Sequence, residues 1–394
     1  MDFLNIKQGS LFFVLATIPI SSSAISFTDP IDGKFDMGEY LAENAYGFMP
    51  VPILITEPAI GYGGGAMGLF LHESDAQRKK RKQLAEKSLN GGAHLLTPAI
   101  SVVGGFGTDN KTWGVFGGHR HSWNRDHIRY TGGAIYGDFN MSYYPFNSEN
   151  SQLHDYSLDL SMKGYGVMQK LQFRVKDTPL LIGITQLYGG ADITSQNNNK
   201  LQEALSDHFD YSPTISGLGL LIEYDALNSF LFPTNGGNYT AKYQFFREGI
   251  GSDYNYDTLQ LKGTQYIPLN EKKNWILGVK SEFNSLISDE RFLPPPVYPD
   301  VNLRGISRGR YQGENTITVE GQVMWSITHR WLVSAFGGVG STARDVNGLF
   351  SDNHYSGGVG FRYLMARRYG LHAGIDLAAS EEDSAIYFQV GTGL

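Results

Sequence analysis

Cysteine is absent from the 394 residues, which removes both a disulfide scaffold and a thiolate metal site. A basic surplus is also lacking. Lys and Arg number 32 against 39 Asp and Glu, a formal net charge of -7, and nucleic acid as a partner would need a cationic surface. Long apolar runs are missing as well. The longest, LFFVLATIPI from Leu11 to Ile20, is about half of the roughly 20 residues a spanning helix requires. Any membrane span must therefore be made of strands.

Glycine (48 residues) and aromatics (13%) are plentiful. The start has the layout of an export signal, with Lys7 in a short polar stretch, the apolar run, then SSSA with small side chains at Ser22 and Ala24. Cleavage after Ala24 would make residues 1–24 a signal peptide. Residues 25–49 would then be a short periplasmic segment, and 50–394 the folded unit.

After Pro50, apolar and polar or small residues alternate in segments of about ten, separated by Gly, Asn, Asp and Pro clusters. This is the two-residue period of strands. In WILGVKSEFN, Trp275, Leu277, Val279 and Phe283 oppose Gly278, Lys280, Glu282 and Asn284. In YGLHAGIDLA, Leu371, Ala373, Ile375 and Leu377 oppose His372, Gly374, Asp376 and Ala378. In TITVEGQVMW, Glu320 and Gln322 oppose Val319 and Val323. The closing AIYFQVGTGL reads as a strand with Ile386, Phe388, Val390 and Leu394 on one face. Alternation alone fits either a soluble sandwich or an inside-out barrel. The export signal, the unbroken march of strands and the aromatics at strand ends (Tyr239, Trp275, Trp325, Trp331, Tyr355) favour the barrel. Pairing the segments predicts sixteen antiparallel strands, an even number as bacterial outer-membrane barrels have. One stretch, Ala76 to Leu89, stands apart as a possible helix, basic with little apolar periodicity. It reads as a solvated turn or as a docking element for anionic lipid heads or an acidic partner.

Three stretches resemble the BamA/TamA/FhaC outer-membrane insertase and translocase superfamily, also called the bacterial surface antigen family. EYDALNSFLFPTNGGNY (Glu223 to Tyr239) is similar to its acidic strand end and Pro-Thr-x-Gly periplasmic turn, here Asp225, Pro233, Thr234 and Gly236. Leu303-Arg304-Gly305-Ile306 resembles the tip of its sixth extracellular loop, with Ile306 where the family has an aromatic. GVGFRYLMARRYGLHAGIDLAASEEDSAIYFQVGTGL resembles its closing strands, with Leu394 where an aromatic is usual. The resemblance implies a Gram-negative outer-membrane barrel into which the long loop folds, its Arg held by a lumen-facing acid. Alternation supplies two such acids, Asp376 and Glu320. It also implies outer-membrane lipids, client proteins and a separate periplasmic protein as partners of a monomeric barrel. The soluble POTRA domains that receive clients in the family have no counterpart in residues 25–49. The expected role is insertion, translocation or anchoring, with a passive channel as the alternative and a lipid hydrolase behind it.

Other candidate sites weigh less. Gly305-Ile306-Ser307-Arg308-Gly309 has the G-x-S-x-G spacing, but loop precedes and strand follows it, where a nucleophile elbow needs strand then helix. His119, Arg120, His121 and His127 lack a suitable third ligand except Asp126, so no metal site is assigned. GYGGGAMG has no helix after it and is no dinucleotide loop. No catalytic residue and no cofactor are expected. Pro50, Pro52 and Pro58 bracket a short first strand, VPILIT. Either they thin its pairing with Phe388 and Val390 of the last strand, as in the family's lateral gate, or they merely begin and end an ordinary strand.

Overall fold

The computed structural model describes residues 27–43, 48–57, 59–87, 98–144, 158–196, 212–290 and 293–394. The export-signal reading of residues 1–24 lies outside them. Sixteen strands form a single antiparallel sheet in sequence order. They are β1 (Phe48–Ile55), β2 (Gly63–His72), β3 (Ala99–Thr108), β4 (Trp113–Trp123), β5 (Ile128–Tyr143), β6 (Leu158–Arg174), β7 (Leu180–Ser195) and β8 (Thr214–Asp225). The second half comprises β9 (Gly236–Phe246), β10 (Tyr256–Pro268), β11 (Trp275–Ile287), β12 (Asn315–Ser326), β13 (Trp331–Ala343), β14 (Asn353–Ala366), β15 (Leu371–Ser380) and β16 (Ser384–Val390). The sheet curls into a nearly closed barrel. Its lower rim carries both ends of the described chain and the short turns, and its upper rim carries the loop 288–314, whose described parts are 288–290 and 293–314.

Burial resolves the ambiguity that alternation leaves. Apolar side chains on one face are exposed, among them Leu220 (64%), Val103 (56%) and Val359 (56%), while polar ones on the other are buried, including Gln322 (1%), Arg362 (1%) and Asp376 (0%). A soluble sandwich would do the reverse. Lipid must cover the outer face, and the polar side chains line the lumen. Trp275 stacks on Trp325 with ring centroids 5.4 Å apart, and Trp331 meets Tyr363 edge-on at 4.8 Å. These pairs form part of an aromatic belt at the lower rim. No helix among the described residues is long and apolar enough to cross a membrane.

Two expectations about elements need correction. First, β1 begins at Phe48, so Pro50 and Pro52 lie within it and do not bracket it; Pro58 lies outside the described residues. The basic stretch after β2, the one segment expected as a possible helix, is helical over its described residues, Asp75–Lys87, with Arg81 and Ala85 buried. We call it α2, and Gly38–Glu43 α1. Second, β16 stops at Val390. Gly391 and Gly393 take left-handed φ of 103° and 88°, which turns the chain off the wall and into the lumen. Leu394 then packs inside with the cluster of Tyr266, Ile276 and Met324, not on the outer face.

Candidate functional site

The loop tip is built on a tight turn. The Ile306 N–H donates to the Leu303 carbonyl at 3.1 Å, and Gly305 has φ 93°, the left-handed value that the third place of a type II turn requires. Its close approach to the backbone of Ala378 and Ala379 leaves no space for a side chain. Val301, Leu303 and Ile306 are buried as one cluster. Gly338 and Gly340 on β13 make this possible, because a Cβ at either would overlap Leu303 or Val301.

Arg304 projects from this turn onto the inner face of β12 and β15. Its Nη1 donates to Asp376 Oδ2 at 2.8 Å, and Nη2 donates to Gln322 Oε1 at 2.8 Å and to Glu320. The guanidinium also lies 3.5 Å from the centre of the Phe336 ring. Sequence reasoning misses a fourth member. Arg362 of β14 clamps Asp376 from the other side, at 2.7 and 2.8 Å. Two cations and two anions thus neutralise each other in a nearly dry setting, the condition under which such pairs are strong and the loss of one member is costly. Arg362 lies on the inward face by register, being paired with Gly374 beside Asp376. It lies within the stretch that resembles the family's closing strands, where sequence reasoning singles out Asp376 and passes over its partner.

Ser307 donates from Oγ to Asp383 at 2.6 Å, and its amide reaches the same carboxylate at 3.2 Å. Both bonds fasten the loop tip to the β15–β16 turn.

The tip also reaches the two ends of the sheet. The pairings run from β1 to β16, and no ladder joins β16 back to β1 among the described residues. Proline lacks an N–H, and the β1–β2 ladder is continuous from Phe48 to Ile55. The nitrogens of Pro50 and Pro52 must therefore face the β16 side, where two donors are missing. Side chains bridge the gap instead. The Ile386 amide donates to Thr56 Oγ1 at 3.0 Å, and Thr56 returns a bond to the Ile386 carbonyl. The Arg308 amide donates to Glu57 at 3.1 Å, the Gly305 amide to the Tyr387 hydroxyl at 3.0 Å, and that hydroxyl to Glu57 at 3.5 Å. Burial pushes the Glu57 carboxyl above its ordinary value, outweighing the Arg308 amide and charge. Phe388 packs on the cluster that contains Met49 and Val51, whereas Val390 is half-exposed and pairs only with Ala373 of β15.

At the lower rim, residues 27–43 form a clamp that the sequence does not announce. Arg330, in the β12–β13 turn, donates to Asp32 at 2.5 Å, Asp36 at 2.5 Å and Asp29 at 2.9 Å. Arg367, in the β14–β15 turn, donates to Asp29 at 2.5 Å. Burial alone would raise the Asp29 carboxyl, but bonds from Arg367 and the Ile31 amide, with the charges of both arginines, hold it below its usual value. Asp32 is lowered first by its bond from Arg330. Leu41 of α1 packs against Met49, Val51 and Leu71 on one side of the gap and Ala366, Tyr369 and Leu371 on the other. α2 docks alongside, with Arg81 on Glu73 at 2.6 Å and over the Tyr369 ring at 5.0 Å.

The turn of Asp225, Pro233, Thr234 and Gly236 is ordered by Asn228, whose side chain accepts from the amides of Thr234 and Asn235 at 3.0 and 3.1 Å. Gly236 has φ 99°. Asp225 accepts from Arg129 at 2.6 Å. Asp126, in the β4–β5 turn, receives Arg129 at 2.7 Å and also Arg174. These bonds outweigh its burial and bring its carboxyl down to about 2. His127 sits apart, 3.2 Å from Asp177. Arg120 points inward, over the Phe230 ring at 4.0 Å, while His119 and His121 point outward. No three His, Asp or Glu side chains among the described residues converge as a metal site.

Comparison with known proteins bears on this geometry. A family model described as the Omp85 superfamily domain matches residues 127–295. Among solved structures, the chain is similar to BamA from Haemophilus ducreyi lacking POTRA domains 1-3, with 13% identity and a TM-score of 0.55 over 88% of this chain and 70% of that one. It is also similar to CdiB from Escherichia coli, at 11% identity and TM-score 0.53 over 86% of this chain and 61% of that one. CdiB from Acinetobacter baumannii follows at 9% and 0.51, over 87% and 59%. The chain therefore spans about three-fifths of the two CdiB chains. At these identities the likeness is one of fold. No curated protein matches the sequence.

Proposed function

We propose that this chain, which belongs to the Omp85 superfamily of BamA/TamA/FhaC type, acts at the Gram-negative outer membrane in the insertion, translocation or anchoring of proteins or lipids, without covalent catalysis. One observation carries the reading. Among the described residues, the joint between β1 and β16 is closed by side chains, the loop tip and the lower-rim clamp, and not by a ladder. A ladder of eight residues would cost many hydrogen bonds to open, whereas a joint of a few side-chain contacts opens at the loss of a few, each worth about 1 kcal/mol net. An open joint presents unpaired strand edges to which an incoming strand can add.

In this reading the lower rim faces the periplasm, clients approach past α1 and α2, and the Arg304 cluster holds the loop as a fixed strut. The test is reconstitution in liposomes, timing the folding of unfolded outer-membrane proteins. Wild type should accelerate folding over empty liposomes, and Arg304→Ala should lose much of that acceleration. Equal rates with and without the protein would reject the function. A conductance increase in Arg304→Ala with no change in client folding would point to a passive channel instead.

A further inference from the structure

The outer surface of β2, β3 and β4 is apolar at Val103 and Val115 and then changes character toward the lower rim. His72, Ser101, His119 and His121 all face outward there. The register pairs Ser101 with His119, and it puts His72 level with Ala99, two residues from Ser101 on the same face. Ser101 Oγ lies 2.8 Å from His72 Nε2 and 2.8 Å from His119 Nδ1. The His119 and His121 rings are 5.8 Å apart, and His121 stacks on Trp123 at 4.3 Å. Neither the loop cluster nor the strand joint uses any of these groups.

Their height is informative. His72 is the last residue of β2, and His119 stands four residues before the end of β4. At strand rise and barrel tilt that is within roughly 10 Å of the rim. Trp123 marks the interface, where amphipathic rings settle. Four polar side chains facing hydrocarbon would be costly, but at headgroup depth they are donors in search of an acceptor. A serine has one hydrogen to give, and the imidazole that receives it carries its own hydrogen on the other nitrogen, pointed outward. His121 adds further ring nitrogens beside it. Three residues past His72, α2 begins, and it exposes Lys79, Lys80 and Lys87. Of the nearby acids, Glu73 is engaged with Arg81 and Asp126 with Arg129, while Asp75, at the start of α2, is exposed and lies 3.9 Å from Arg78.

We propose that His72, Ser101, His119 and His121 form a headgroup site for the phosphodiester of an anionic phospholipid in the leaflet at the lower rim, with Trp123 against its glycerol. The phosphate accepts from the outward ring nitrogens, and α2 supplies the surrounding positive charge. This site rests on the barrel lying in a bilayer and not on opening of the β1–β16 joint, so its failure leaves the insertase reading standing.

Native mass spectrometry of the full chain, released from vesicles of phosphatidylcholine with a minor fraction of phosphatidylglycerol, tests it. Wild type should retain phosphatidylglycerol several-fold over its share. His119→Ala with His121→Ala should abolish that enrichment, and Ser101→Ala, which removes only a hydroxyl, should reduce it. Heat-modifiable gel migration identifies the folded fraction of each variant. Enrichment that survives the histidine changes but vanishes in Lys79→Ala with Lys80→Ala would overturn the site in favour of attraction by α2 alone. Enrichment abolished by excess inorganic phosphate would overturn the lipid as its source.

Discussion

Asp376 accepts both ends of the Arg362 guanidinium, at 2.7 and 2.8 Å, while its Oδ2 also receives Arg304 at 2.8 Å. One fully buried carboxylate therefore ties the loop to two strands of the wall, whereas Glu320 receives Arg304 alone among the guanidinium groups.

This difference sets an order of effects. Asp376→Asn leaves two buried cations short of a charge and should cost about 3–5 kcal/mol, the range for breaking a buried pair. Glu320→Gln should cost less, because Gln322 and Asp376 still hold Arg304. Urea unfolding in detergent, followed by heat-modifiable migration, measures both. An equal loss from the two variants would contradict the shared role of Asp376.

The lower clamp should respond to acid. Asp29 and Asp32 have folded-state values below their ordinary one, so their contribution is present above about pH 4 and lost as pH falls further. The cysteine-free chain permits a single nitroxide label at exposed Lys34. Its spectrum should show a held segment at neutral pH and a mobile one near pH 3. Arg330→Ala, which strips all three aspartates of that partner, should give the mobile spectrum at every pH.

Pro50→Val with Pro52→Val should strengthen the joint, since it restores two N–H donors facing β16, each worth about 1 kcal/mol if paired. Amide exchange over Ser384 to Val390 should slow, and any acceleration of client folding should fall. Unchanged exchange would mean that the β16 edge lies too far away for bonds to form.

Much of this architecture is legible in the sequence because a barrel wall is written in a two-residue code. The alternation puts Glu320, Gln322 and Asp376 inward and Trp275 and Trp325 outward, as in the structure. The same code places Arg362 inward, but a cation two strands from Glu320 reveals its partner only once the register sets it beside Asp376. The clamp has no period to read. Asp29, Asp32 and Asp36 look like turn residues of a connector, and their meaning depends on Arg330 and Arg367 some 300 positions away. Leu394 fits the outward face of β16 until Gly391 and Gly393 take left-handed φ, a choice that many glycines decline.

Whether β1 and β16 part during function decides the mechanism, and the absence of cysteine makes this testable with one engineered disulfide, Thr56→Cys with Ile386→Cys. Folding of unfolded outer-membrane proteins into liposomes is timed with this variant oxidised and then reduced. The oxidised barrel should act no better than empty liposomes, and reduction should restore the wild-type acceleration. Acceleration that is the same in both states would contradict the claim that clients use the joint.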